Sequence, residues 1–262
     1  MHHSYEGCRD NAAMAAQSAL SATDSTPALS AALRARARVS VGILRDAVRD
    51  FGTVVYASSL GAESIVLTDL IWTLVPEIQI VTIDTGRLPE ETLALLDRLE
   101  RRYQRRMQVY YPQAKSVEDY IAANGINGFY NGLEQRQGCC ALRKLEPFQR
   151  AIAGFGAWVT GVRREQSAAR SAYLVSERDE RYGLQKISPL LDWSADEVWV
   201  YIRAGALPYN PLHDRGYPSI GCAPCTRAIE PGQDERAGRW WWENPDSREC
   251  GLQPRTRPSS AP

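Results

Sequence analysis

The sequence predicts an α/β fold: a parallel sheet with helices on both faces, followed by a loop-rich C-terminal tail. Two observations support this. Short apolar segments of strand length alternate with longer segments of helical length, as in sheets that are covered on both sides. From Pro208 onward proline and glycine are frequent, which predicts loops rather than regular elements.

The predicted elements alternate in order along the chain. A helix through Val41–Leu44 should end near Gly52, because glycine commonly follows the last helical turn. Strands are predicted at Thr53–Ala57, Ile78–Ile83, Met107–Tyr111, Trp158–Gly161 and Leu184–Ile187, with helices from residue 64 to Leu74 and from Pro89 to Tyr103. Ligands of such sheets bind beyond the carboxyl ends of the strands, where the strand order reverses.

Composition narrows the class of protein. The chain has 262 residues, enough for one large domain or two small ones, and its net charge of zero argues against binding nucleic acid. No segment approaches the roughly 20 apolar residues of a membrane span, and the first residues lack the apolar stretch of a signal peptide. We therefore expect no membrane partner and a cytoplasmic location, where clustered cysteines are more often metal ligands or redox groups than disulfides.

Three polar loops should meet at one edge of the sheet. The first follows the first strand and contains Ser58, Ser59, Gly61 and Ser64. A small, hydroxyl-rich turn before a helix leaves backbone N–H groups free to bind an anion. The serines could equally serve only to cap the helix.

The second loop, Asp84, Thr85, Gly86 and Arg87, follows the second strand. A carboxylate at this position can bind a ribose hydroxyl or a base amine, although Asp-Thr-Gly is also an ordinary turn.

The third loop runs from Gly161 to Arg170 after the fourth strand, with Arg163, Arg164, Gln166 and Arg170 as candidate ligands of oxyanions. A solvated charged loop is the alternative for any single arginine. Because three such loops converge, a nucleotide that carries extra negative charge is the favoured ligand.

Four of the six cysteines form two close pairs. Cys139 and Cys140 are adjacent, and Cys222 and Cys225 form a C-x-x-C. Four thiolates can hold zinc or an iron–sulfur cluster, and the spacing does not choose between them. The alternative is a buried cysteine pair and a separate redox C-x-x-C.

The segment around Cys139 resembles the first turns of a helix. On such a helix Arg143 and Lys144 would lie one turn beyond the two cysteines, where cations stabilise a negative cluster.

The fifth cysteine, Cys250, lies in the short segment Glu249–Leu252. An exposed thiol near Arg248 can have a lowered pKa and act as a nucleophile. An incidental surface cysteine is the simpler interpretation, and we apply it to Cys8.

Taken together, these residues resemble the assimilatory adenylyl-sulfate reductases of bacteria and plants, which are relatives of the phosphoadenylyl-sulfate reductases. The resemblance covers residues from about 50 to 252. Besides the three loops and the two cysteine pairs, the matching motifs are Ser188–Trp193, Leu207–Leu212, Gly221–Thr226, Gly238–Glu243 and Glu249–Leu252.

The resemblance implies a nucleotide-binding fold of the ATP-pyrophosphatase type. It also implies a [4Fe-4S] cluster on Cys139, Cys140, Cys222 and Cys225, with Lys144 close to it, and Cys250 as the nucleophile. The implied reaction reduces adenylyl sulfate to sulfite and AMP, with thioredoxin or a glutaredoxin-like protein as electron donor. Family members are commonly oligomeric, so a homo-oligomer is possible.

The expected organisation is a flexible N-terminal arm at 1–32, a reductase domain at 33–242 and a mobile catalytic tail at 243–262. One position departs from the family: its tail usually ends Glu-Cys-Gly-Leu-His, whereas Gln253 stands here in place of the histidine. Glutamine keeps hydrogen bonding but does not titrate near neutral pH.

Three other functions share some of these features. They are reduction of the 3′-phosphorylated nucleotide, ATP-dependent adenylation of a substrate, and metal binding without catalysis.

Overall fold

The computed structural model describes residues 29–167, 170–244 and 251–252, and it contains a six-stranded sheet flanked by helices. Strands β1 to β6 span Val54–Ser58, Gln79–Ile83, Gln108–Tyr110, Ala157–Val159, Ser176–Asp179 and Leu184–Ile187. Helices α1 to α7 span Ala31–Phe51, Ala62–Leu74, Glu90–Tyr103, Ala114–Asn124, Leu133–Cys140, Glu146–Ile152 and Ala195–Ala204.

The strand order is β3-β2-β1-β4-β6-β5, and all neighbouring strands are parallel except β5 and β6. The chain runs outward from β1 to β3 and then returns to the other side of β1. The order therefore reverses between β1 and β4, which opens a crevice at the carboxyl ends of these two strands. The predicted parallel sheet is confirmed. The antiparallel edge strand β5 was not predicted.

Successive residues of β1 face opposite sides of the sheet. Val54 and Tyr56 belong to a large core with residues of α1, α2, α3 and α7. Val55 packs on the other face, with Phe148 of α6 and with Trp158. Helices thus cover both faces, which explains why the central strands are mostly apolar.

The predicted end of the first helix near Gly52 and the loop-rich C-terminal region are confirmed. Gly52 ends α1 with a φ of 72°, a conformation that favours glycine, and its N–H donates to the carbonyl of Val48. After α7, the described chain up to residue 244 is mostly loop, with a bridge between Thr226 and Arg239. Among the described residues, no helix combines the length and apolar character needed to cross a bilayer.

Candidate active site

Two adjoining cavities lie at the carboxyl edge of the parallel strands. The thiol cavity, of about 120 Å³, is lined by the four paired cysteines. The loop cavity, of about 170 Å³, is lined by the loops that follow β1 and β4. The residues common to both linings are Ala57, Ser59, Lys144, Ile220, Arg239 and Leu252. The strand-order reversal thus places the loops that are predicted to bind an anion directly beside the four thiols.

The structure brings the four predicted thiols together. Cys139, Cys140, Cys222 and Cys225 all line the thiol cavity, and none of them forms a disulfide. Cys139 and Cys225 are buried in a small core with Phe129. The alternative of two separate cysteine pairs does not fit this arrangement.

The environment of two of the thiols disfavours their ionisation. Burial raises the pKa of Cys225 to about 12, and the neighbouring thiols Cys222 and Cys140 act in the same direction. Burial also raises the pKa of Cys139, although the Arg143 guanidinium opposes this shift. Thiolates at these two positions would therefore be stable only beside a positively charged centre.

The prediction that Cys139 and Cys140 begin a helix is wrong. They are the last two residues of α5, and the chain continues through a π-helical segment, Ala141–Leu145, into α6. The polar sequence from Leu133 to Gly138 has no apolar periodicity, so the helix before the cysteines was not recognised. The π turn is wider than an α turn and changes the spacing of Arg143 and Lys144 from the cysteines.

Cations and a hydroxyl group surround the thiols. Arg143 is buried and donates from Nη1 to the carbonyl oxygen of Thr85, at 2.8 Å. The Thr85 hydroxyl lies 3.2 Å from Sγ of Cys222. Lys144 lines both cavities, which places its ammonium-bearing side chain between the thiols and the loops.

The serine loop after β1 is organised by its own hydrogen bonds. The hydroxyls of Ser59 and Ser64 lie 2.9 Å apart, and Ser64 Oγ also accepts from the N–H of Ser59. Ser58 is buried, and its hydroxyl accepts from the N–H of Leu60. Gly61 precedes α2 without a side-chain cap, so the first N–H groups of this helix face the loop cavity.

The loop after β2 belongs with the thiols rather than with the loop cavity. Thr85 and Arg87 line the thiol cavity, whereas Asp84 lines neither cavity and accepts from the N–H of Gly86, at 2.8 Å. The carboxylate of Asp84 thus closes the turn, and its contact with a nucleotide remains a prediction. Arg87 lies over the Phe129 ring, 5.0 Å from its centroid.

Arg163 and Arg164 are not placed for the predicted anion binding. Arg163 is almost fully buried, and its guanidinium pairs with three carboxylates, those of Glu63, Glu165 and Glu235. Arg164 pairs with Asp192 at 3.0 Å and also donates to backbone carbonyls. Because these groups are already engaged, their positions indicate a role in joining the loops.

Four other residues of the third loop do line the loop cavity: Gly161, Val162, Gln166 and Arg170. Gln166 donates to Glu63 at 2.9 Å, and Arg170 in turn donates to Gln166. Gly161 allows the loops after β1 and β4 to approach closely, since a Cβ there would lie 3.2 Å from the Cβ of Glu63.

The sequence reasoning missed four residues of the loop cavity. Arg236, Arg239, Glu235 and His213 all line it, and Arg239 also reaches the thiol cavity. Burial raises the pKa of Glu235, an effect that Glu63 reinforces. The two arginines, three residues apart before the run of tryptophans, were the available sequence signal.

Two residues of the C-terminal segment contact the site. Leu252 lines both cavities, and Gly251 packs against Leu145. Cys250, Cys8 and Gln253 lie outside the described residues.

The chain matches the family model of the phosphoadenosine phosphosulfate reductase domain over residues 53–228. It is 52% identical over 220 residues to the adenosine 5′-phosphosulfate reductase of Allochromatium vinosum. This alignment covers 84% of the present chain and 86% of the relative.

Two solved structures are similar to the chain. Phosphoadenylyl-sulfate reductase from Candida auris, in a phosphate complex, is 29% identical with a TM-score of 0.63, covering 77% of this chain and 98% of that one. Candida glabrata FMN adenylyltransferase, in complex with FAD and inorganic pyrophosphate, has a TM-score of 0.55 and covers 91% of this chain and 84% of that one. At 15% identity it shows the fold alone. The predicted α/β fold of the ATP-pyrophosphatase type is confirmed.

Proposed function

This chain belongs to the phosphoadenosine phosphosulfate reductase family, and from this membership we propose that it reduces adenosine 5′-phosphosulfate to sulfite and AMP. Curated relatives at about half identity over most of the chain are named for this activity. The structural observation that carries the proposal is the thiol cavity adjoining a loop cavity lined by cations.

The thiol quartet favours adenylyl sulfate over its 3′-phosphorylated form. The phospho-specific relatives usually lack the paired cysteines, whereas Cys139, Cys140, Cys222 and Cys225 line one cavity here. Competition between the two nucleotides for the purified enzyme tests this preference. We expect the 3′-phosphorylated form to compete poorly, and equal or better turnover of it would overturn the assignment.

A [4Fe-4S] cluster fits the four thiols, because such a cluster takes one thiolate at each of its four irons and all four sulfurs line one cavity. Cys139, Cys140, Cys222 and Cys225 would hold it, and Lys144 would lie close by. When bound, the cluster would supply a fixed charge that organises the site.

Cys250 is the proposed nucleophile. Its thiolate attacks the sulfur of adenylyl sulfate, the S–O bond to the phosphate breaks, and AMP leaves with that electron pair. The product on the enzyme is S-sulfocysteine. A thiolate of thioredoxin then attacks Sγ of Cys250 and releases sulfite, and the second thioredoxin thiol resolves the mixed disulfide. The two electrons thus come from the dithiol of the donor.

The cavity residues supply positioning and charge. The substrate carries a sulfate and a phosphate, and the cations that line the loop cavity are Lys144, Arg170, Arg236 and Arg239. Fixed cations oriented before the reaction stabilise oxygens on which charge accumulates. Ser59, Ser64 and the open helix start at Gly61 add donors for the same oxygens. AMP is a good leaving group, so a strong general acid is not required.

Mass spectrometry after mixing the enzyme with adenylyl sulfate, without reductant, tests the chemistry. A sulfonate adduct should appear on Cys250 and should be absent in Cys250→Ser. Cys8→Ser is the matched control and should form the adduct normally. An adduct on another residue, or sulfite production by Cys250→Ser, would refute the proposed nucleophile.

The iron content of protein purified without air tests the cluster separately. We expect about four irons per chain, because a cubane holds one iron for each of four thiolates. A colourless protein that contains zinc would overturn this part alone.

A further inference from the structure

The turn between β5 and β6 carries an arginine that holds the C-terminal segment. Arg181 donates from Nη1 to the carbonyl oxygen of Gly251, at 2.7 Å. From Nη2 it donates to the carbonyl oxygen of Leu252, at 3.0 Å. One guanidinium therefore binds two consecutive peptide groups of a segment that lies far away in the chain.

Arg181 is itself fixed in place. Its Nε and Nη2 donate to the two carboxylate oxygens of Asp179, at 3.0 and 2.8 Å. Asp179 is buried at the end of β5, and the Tyr182 ring lies 4.9 Å from the guanidinium carbon. A planar guanidinium that is held along one edge presents its remaining donors in a fixed direction. The Arg181 side chain therefore loses little conformational entropy when the segment binds.

The segment that Arg181 holds lies at the edge of the site. Leu252 lines both cavities and packs with the small core around Val55 and Phe148. Gly251 lies so close to Leu145 that an added Cβ would be 3.0 Å from its Cδ1. The residue before Gly251 in the chain is Cys250.

We infer that Arg181 is a positioning residue for the reaction: by holding the carbonyls of Gly251 and Leu252, it brings the Cys250 thiol to the bound sulfonucleotide. This inference rests on the proposed function. Arg181 acts through the backbone of the segment and does not touch the substrate. It should therefore change the rate of sulfur transfer and leave substrate affinity largely unchanged.

The test compares Arg181→Ala and Arg181→Lys with Arg178→Ala, which removes an exposed arginine of the same hairpin. Adduct formation on Cys250 is followed by quenched mass spectrometry over a range of adenylyl sulfate concentrations, without thioredoxin. For Arg181→Ala we expect the maximal rate to fall about tenfold or more, because a hydrogen bond from a charged donor is lost at each carbonyl. The half-saturating concentration should change less than twofold.

Arg181→Lys should be intermediate, since an ammonium keeps the charge but cannot reproduce the fork. Arg178→Ala should match the unmodified enzyme. An unchanged rate in Arg181→Ala, or an equal loss in Arg178→Ala, would overturn the inference.

A second readout does not depend on activity. Hydrogen exchange of the peptide that contains Gly251 and Leu252 should be faster in Arg181→Ala than in Arg178→Ala. Equal exchange in the two variants would overturn the inference. If the unmodified enzyme forms no adduct on Cys250, the proposed function fails, while this exchange measurement still decides whether Arg181 holds the segment.

Discussion

Removing Arg136 should destabilise the protein strongly, because it is half of a buried ion pair. Its Nε and Nη2 each donate to one carboxylate oxygen of Glu243, both at 2.8 Å. The side chains are 3% and 6% exposed, and the guanidinium lies over the Trp240 ring. This pair joins α5, which carries Cys139 and Cys140, to the end of the described range 170–244.

The expected magnitude follows from the burial. Arg136→Met leaves the Glu243 carboxylate buried without its arginine, which costs about 3–5 kcal/mol in comparable pairs. For a protein of this size that corresponds to a fall of roughly 6–20 °C in melting temperature. The double variant Arg136→Met, Glu243→Gln removes the unpaired buried charge as well. It should therefore regain much of the lost stability.

The assay is thermal unfolding followed by circular dichroism under anaerobic conditions. Arg101→Met is the matched control, because Arg101 pairs with Asp97 at 2.9 Å on the surface of α3, where the side chains are 78% and 56% exposed. An exposed pair of this kind contributes about 0–1 kcal/mol. If Arg136→Met and Arg101→Met lowered the melting temperature equally, the reasoning from burial would be refuted.

Three further predictions test other parts of the structure. Gly221→Ala places a Cβ 2.1 Å from Nη2 of Arg239, so this flexible side chain must move out of the cavities; turnover of adenylyl sulfate should fall while the melting temperature stays within a few degrees. Gly42→Ala, in the interior of α1 with open space at the Cβ position, should raise the free energy of urea unfolding by about 0.5–1 kcal/mol; an unchanged or lowered value would contradict this. Burial lowers the pKa of His213, against a weaker opposing effect of Glu63. The neutral imidazole therefore stabilises the fold above the unfolded-state pKa of about 6.5, and this contribution is lost as the pH falls through the lower folded-state pKa. The unmodified protein should therefore lose its advantage in melting temperature over His213→Gln as the pH is lowered from 7.5 into the acid range. Thermal unfolding of both proteins in steps of half a pH unit checks this.

The sequence predicted the centre of the sheet well because its strands are buried on both faces. β1, β2 and β4 are short and mostly apolar, and each ends in a polar loop, so both the elements and the shared edge could be anticipated. Each pair of thiols was also visible in its local spacing, as two adjacent cysteines and as a C-x-x-C. In both cases the signal lies within a few consecutive residues.

Other parts of the site depend on contacts between distant residues. Nothing near Arg163 in the chain indicates that Glu63 and Glu235 occupy its guanidinium, because these partners come from the loop after β1 and from the C-terminal region. Helices α4 and α5 are polar and lack a clear apolar stripe, so their existence was missed. The π-helical segment between α5 and α6 has no signature by which it could be recognised in a single sequence.

The thiol cavity draws its two pairs of cysteines from positions that are far apart in the chain, and this separation matters during synthesis. Positions 140 and 222 differ by 82 residues. At about 5–20 residues per second, Cys139 and Cys140 therefore leave the ribosome roughly 4–16 s before their partners. During that interval they are neither buried nor able to share a centre with the second pair. The nascent polypeptide, rather than the finished enzyme, is consequently the stage at which oxidants have the readiest access to these sulfurs, and the proposed cluster could be inserted only after translation has passed Cys225.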